Sequence, residues 1–248
     1  MIYRIREKLR SGKPSLGSWM QIPNSSVAGI MGRASYDWVA VDLEHGAFSR
    51  HILPDIFLAL ENGGALPIAR VAQSLPNDVK QVLDAGARGL ILPMIESEKQ
   101  LKTAIDSAFY PPAGTRGVGY CRANLFGKHF DEYSQQSNDI LIVAQIEHIR
   151  AVENLEKILS VDKLDAIIIG PYDLSGSMNL TAQFDHPEFV KVFENILNIA
   201  KNSKVPAGLH IVQPDKEALI SRISEGFQFI AYGTDAVFLY SSSARPTI

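Results

Sequence analysis

"DWVAVDL", residues 37–43, decides the fold, because Trp38, Val39, Ala40 and Val41 follow one another with no polar break before Asp42. A strand with one wet face alternates apolar and polar side chains, whereas a strand covered on both faces does not. The run therefore predicts a strand buried on both sides. Seven further strand candidates follow, most of them also nearly continuous apolar runs: SLGSWMQ (15–21), LPIARV (66–71), RGLILPM (88–94), ILIVAQIE (140–147), DAIIIGP (165–171), VPAGLHI (205–211) and FQFIAYG (227–233).

The segments between these runs carry helical spacing. In LPNDVKQVLDAG, Pro76 sits at a helix start, Val79, Val82 and Leu83 share one face, and Gly86 supplies the stop. In HPEFVKVFENILNIAKNS the inner stripe is Phe189, Val192, Phe193, Ile196 and Ile199. Alternating strands and helices of this number in 248 residues predict an α/β fold, a (β/α)8 TIM barrel. An open doubly wound sheet is the alternative, because periodicity does not reveal closure. No linker interrupts the chain, so residues 1–248 are expected to form one domain. The one long irregular stretch, Tyr110 to Asn138, is expected to be a lid or a subunit contact.

Composition narrows the partners. With 46% hydrophobic and 21% charged residues the chain fits the soluble globular class. A net charge of -3 offers no clustered basic surface for nucleic acid or an anionic membrane. The single Cys121 allows no intrachain disulfide and sits in no metal-ligand spacing. The start, MIYRIREKLRSGK, mixes both charges and lacks a secretory core, and no stretch stays apolar for the roughly 18 residues a membrane span needs. A cytoplasmic location is the default expectation.

In parallel α/β folds ligands sit beyond the carboxyl ends of the strands. There the runs end in Trp19 and Gln21, in Asp42, Glu44 and His45, in Arg70, in Gln145 and Glu147, in Gly170 with Asp173 beyond, and in His210. Gln145 and Glu147 are two apart, so they point the same way. Glu147 and Asp173, on neighbouring strands, can converge on one hard divalent ion, with Mg²⁺ or Mn²⁺ favoured over zinc. Each also has a plain alternative: a carboxylate ending a strand, and an aspartate opening a turn or capping a helix. None of the lysines ends a predicted strand, which argues against a Schiff base. No G-x-S-x-G or Walker-type loop occurs.

VDLEHG (41–46), Arg70, VLDAG (82–86), YPPAGTRGV (110–118), QIE (145–147) and GPYDLS (170–175) together resemble the HpcH/HpaI aldolase family of metal-dependent class II pyruvate aldolases. RANLFG with the following DEYSQQSN resembles its 2-keto-3-deoxyglucarate branch. The resemblance implies a barrel that exchanges its C-terminal helix and assembles as a homo-hexamer. It further implies reversible cleavage of a 2-keto-3-deoxy sugar acid, or a related 4-hydroxy-2-oxo acid, to pyruvate and an aldehyde.

By that resemblance Glu147 and Asp173 hold the divalent metal, Mg²⁺ or Mn²⁺ with Co²⁺ also compatible, and Gln145 lies beside it. His45 is the catalytic histidine and Arg70 the active-site arginine. Asp84 reaches the histidine across a subunit contact, and Gly170 and Tyr172 hold the pyruvate carboxylate. Chemically, His45 suits removal of the 4-hydroxyl proton, with Asp42 or Asp84 fixing its tautomer, and Arg70 suits the developing negative charge. Trp19 walls the pocket or fills core. Arg116 and Arg122 meet a distal substrate carboxylate, a neighbouring subunit or solvent. A catalytically silent keto-acid binding protein, or a related lyase acting on an acyl-CoA, are the competing functions.

Overall fold

Eight parallel strands close on themselves, β1 (Ser15–Met20), β2 (Trp38–Asp42), β3 (Leu66–Arg70), β4 (Gly89–Leu92), β5 (Leu141–Ile146), β6 (Ala166–Ile169), β7 (Ala207–Ile211) and β8 (Phe229–Thr234). Each pairs with its sequence neighbour, and β8 pairs with β1, so all eight expected strands and their closure are present. The computed structural model describes residues 1–136, 139–243 and 245.

The barrel wall separates two cores. Val39, Val41, Ala69, Leu90, Ile142, Ala144 and Ile167 face outward and pack with helix residues such as Ile56, Val79, Val82, Leu83 and Ile196. Trp38, Ala40, Leu66, Ile68, Ile91, Leu141, Val143, Ile168, Phe229 and Ala231 fill the interior. The strand period of two sorts these sets, and covering both faces explains the unbroken apolar runs. At the amino end, Trp38 stacks on Phe229 with ring centres 4.2 Å apart. Gly17 makes room for them, since a Cβ there would lie 2.0 Å from the indole.

The N-terminal helix Ile2–Arg10 plugs that end with Ile2, Ile5 and Leu9. Its Arg6 is paired with Asp165 at 2.6 Å and with Asp139, and Lys8 with Asp37 at 2.6 Å. Pro76–Ala85 and Pro187–Ser203 form helices as the spacing predicts, and Gly86 ends the first at φ 115°.

The stretch from Tyr110 is less irregular than expected. It contains a 3-10 segment, Arg122–Gly127, and a helix, Phe130–Gln136; positions 137 and 138 lie outside the described residues. The last described helix, Asp235–Ser242, packs on its own barrel, where the Asp235 carboxylate accepts the N–H groups of Gln21 at 2.8 Å and Ile22 at 2.9 Å. No helix of the described residues is long and apolar enough to cross a membrane.

Candidate active site

The inward file of each strand changes character at the carboxyl end. Trp19, Arg70, Gln145 and His210, one from each odd-numbered strand, line a mouth cavity of about 360 Å³ together with His45, Gly170, Tyr172 and Asp173. Alternate strands supply the layers of a barrel interior, so these four are the polar continuation of the apolar layers below.

Asp42 and Arg70 are directly paired in the β2–β3 register and are both buried. Arg70 donates from Nε to Oδ1 of Asp42 at 2.9 Å and from Nη2 to Oδ2 at 2.7 Å. Burial alone would push the Asp42 carboxyl up, but the guanidinium holds it below its ordinary value. Oδ1 also accepts the backbone N–H groups of Glu44 and His45 at 3.1 and 3.2 Å, and Oδ2 accepts Gln21 Nε2 at 3.1 Å. Asp42 thus shapes the turn that presents His45. The sequence offers Asp42 or Asp84 to fix the imidazole tautomer; the Asp42 oxygens are instead taken by Arg70, Gln21 and the two backbone N–H groups.

Glu147 is the second buried carboxylate. Oε1 accepts the Met94 N–H at 2.7 Å, and Oε2 accepts the Gln145 side-chain amide. Burial pushes Glu147 up, the two hydrogen bonds oppose this, and the nearby Asp173 charge raises it further. Met94 adopts a left-handed φ of 51°, a backbone state that non-glycine residues rarely take, and thereby delivers its N–H to the carboxylate. A Cβ on Gly170 would lie 2.7 Å from Glu147 Oε2, so any larger residue there would displace the carboxylate.

Charge is unbalanced here. Asp42, Glu44, Glu147 and Asp173 gather about Arg70, the only permanent cation among the residues lining the cavity. Arg70 Nη1 lies 2.8 Å from Glu44 Oε2, yet off a hydrogen-bonding direction, leaving that buried oxygen without a hydrogen bond. Burial pushes Glu44 up, Arg70 opposes this, and the Glu147 charge adds to the rise. Among the described residues no three or more His, Cys, Asp and Glu side chains cluster to hold a metal. Any ion would rest on two carboxylates and draw its other ligands from water or substrate.

The remaining expected residues divide. His45 is exposed at the mouth, and no described residue bonds its ring. Asp84 pairs with Arg116 at 2.7 Å, with no bond to His45 of the same chain. Arg116 is fully buried between Tyr110 and Tyr133, which removes it from the substrate contacts considered for it. Arg122 lies away from the mouth, over Gly86, and lines a separate cavity with Glu61. The carbonyl end of helix Pro76–Ala85 attracts its charge. The Gly170 N–H is spent on the Ile146 carbonyl at 3.1 Å, so it does not hold a substrate carboxylate.

His210, only a minor candidate from the sequence, is central. It stacks on Trp19 with ring centres 4.8 Å apart, and Trp19 carries Arg70 at 5.1 Å. Its Nε2 lies 3.1 Å from the Gly233 carbonyl, and burial pulls the imidazole pKa down to about 4, so it is neutral. Its place two residues from the start of its strand's inward file was the available signal; Met94 left none, since its role rests on a backbone angle.

The family model for HpcH/HpaI aldolase/citrate lyase matches residues 15–241. The chain belongs to this family. A 4-hydroxy-2-oxo-heptane-1,7-dioate aldolase of Salmonella dublin is 34% identical over 239 residues, covering 94% of this chain and 89% of that protein. A family member from Burkholderia cenocepacia J2315 superposes with a TM-score of 0.90 at 28% identity, covering 97% and 96% of the two chains. The HpcH/HpaI aldolase from Desulfitobacterium hafniense DCB-2 gives 0.84 at 29% identity, covering 96% and 93%. Like its family, the chain is a carbon–carbon lyase.

Proposed function

We propose that the protein cleaves a 4-hydroxy-2-oxo acid reversibly to pyruvate and an aldehyde, with Glu147 and Asp173 holding a divalent ion, Mg²⁺ or Mn²⁺. The observation that carries this reading is buried Glu147, braced by Gln145 and Met94 and facing Asp173, beside the Asp42–Arg70 pair. The excess of carboxylates over the single Arg70 charge suits an added cation, and an all-oxygen donor set suits a hard one. When bound, that ion supplies Lewis-acid polarisation of the 2-oxo group.

The chain's own residues do the rest. Arg70, held by Asp42, keeps a permanent positive charge beside the oxygen where negative charge develops. His45 takes the 4-hydroxyl proton, directly or through one water, as the C3–C4 bond breaks. The bond's electron pair stays with the pyruvate half, which is protonated at C3. The amide N–H groups of Tyr172 and Asp173, at the start of the helix Pro171–Ser177, are available to the substrate carboxylate. Asp84, oriented by Arg116, serves His45 of a neighbouring subunit in a homo-oligomer, hexameric by resemblance, working in the cytoplasm.

The name of the Salmonella relative supports a dioate, and the motif resemblance a sugar-derived acid. The test is a coupled assay of pyruvate release from both compound types, with and without chelator. Release abolished by chelator and restored by Mg²⁺ or Mn²⁺ is expected; release indifferent to chelator overturns the assignment of Glu147 and Asp173.

A further inference from the structure

Arg70 is restrained on one side by Asp42 and Glu44, which engage all three of its guanidinium nitrogens. Those contacts hold the fork in the plane of the Asp42 carboxylate but leave the two faces of the guanidinium to other neighbours. The Trp19 ring supplies another boundary, with the guanidinium carbon 5.1 Å from its centre. The indole is buried at the top of the barrel interior, with the cavity on one side, so its orientation depends on the ring packed against it. His210 is that ring, stacked on it at an interplanar angle of 21°.

We infer that His210 is a positioning residue, a neutral flat prop that fixes the Trp19 ring and, through it, Arg70. The inference rests on the proposed role of Arg70. Several features of the site fit it. The Gly233 carbonyl holds Nε2–H, which sets the ring plane and tautomer. Gly233 has a φ of 66°, and a Cβ there would meet the Phe238 ring at 2.2 Å, so that carbonyl is aimed by a backbone state that favours glycine. A neutral ring can also stand near Arg70 without repelling it, which lysine or arginine could not do. The three residues come from β7, β1 and β3, so the column spans the mouth and does not follow adjacent strands.

The test is a double-mutant cycle on full-length protein. His210→Ala is expected to lower kcat roughly tenfold, the cost of a slightly misplaced catalytic group. KM for the keto acid should move less than about twofold, because the effect falls on the transition state. His210→Phe, which keeps a flat ring, should recover kcat to within about threefold. In a Trp19→Ala background, His210→Ala should cost little more, because two residues acting through one contact do not add. Emission from Trp19, isolated by subtracting a Trp19→Phe variant, should shift in His210→Ala and return in His210→Phe.

The inference is overturned if His210→Phe is as impaired as His210→Ala, which would assign the effect to the hydrogen bond, or if the Trp19 and His210 losses multiply. Should His210→Ala fail to fold, His210→Leu, which fills the volume without a flat ring, takes its place in the cycle. Arg70→Lys is assayed in parallel. An inactive Arg70→Lys beside fully active His210 variants overturns this inference alone, whereas a fully active Arg70→Lys overturns the functional reading beneath it.

Discussion

Arg70 and Asp42 are neighbours across β2 and β3 and meet through two parallel hydrogen bonds of 2.9 and 2.7 Å, with Asp42 wholly shielded from water. Lysine keeps the charge but not the fork, so one of the two charged hydrogen bonds to buried Asp42 would be lost. Arg70→Lys is therefore expected to cost about 1–3 kcal/mol of stability in urea unfolding. Its kcat/KM for pyruvate release should fall by about 100-fold or more.

Glu147→Gln removes a buried charge and alters an ion-binding carboxylate. Because an unneutralised buried carboxylate is costly, the metal-free variant should be as stable as the parent or slightly more so. Added Mn²⁺ should raise the melting temperature of the parent, since binding to the folded state stabilises it, and leave the variant unmoved. Scanning calorimetry with and without the ion checks this, and a variant that responds like the parent counts against Glu147 as a ligand.

Gly170→Ala probes the same carboxylate without touching its chemistry. The new methyl would lie 2.7 Å from Glu147 Oε2 and 2.8 Å from its Cβ, so the side chain must move. A loss of about 1–3 kcal/mol is expected. Turnover should fall roughly tenfold or more, reflecting displaced geometry. Thermal melts and initial rates measure the two effects separately.

His45→Ala should abolish turnover while leaving pyruvate affinity, measured by isothermal titration in the presence of Mg²⁺, within about threefold of the parent. A silent binding protein would have no turnover to lose.

His210 predicts an acid limb in stability. Its folded pKa of about 4 lies below the ordinary value of 6.5, so the unfolded chain takes up a proton first as pH falls. Stability is then lost between about pH 6.5 and 4 and levels off below that, amounting to about 3 kcal/mol from this group. His210→Phe should flatten that part of the urea-midpoint profile; an unchanged slope would show that His210 is not the group responsible.

The strands, their parallel order and the direction of the inward file were legible because a buried strand writes both facts into its residues: an unbroken apolar run, and a parity that carries from Trp38 through Ala40 to Asp42. That Gln145 and Glu147 share a side of the strand follows from that parity; the hydrogen bond between them is seen only in the structure. What meets across the barrel did not follow, since parity names a face and not a partner. Hence the sequence offers Asp42, or Asp84, to the imidazole of His45, whereas Arg70 and two backbone amides claim Asp42 in the structure. For Arg122 and Arg116, both in the long stretch after Tyr110, the sequence leaves a substrate carboxylate, a neighbouring subunit and solvent all open as partners. Their positions depend on a helix end and a pair of tyrosines that are distant in sequence.

The helix Ile2–Arg10 stoppers the far end of the barrel, and this governs traffic. A well with one opening admits and releases its contents in order of depth. The half of the substrate nearest Gln145 and Glu147 must arrive first and depart last, and the half toward exposed His45 and Tyr172 leaves ahead of it. Product inhibition should accordingly be that of an ordered mechanism, with the keto acid as the last product off.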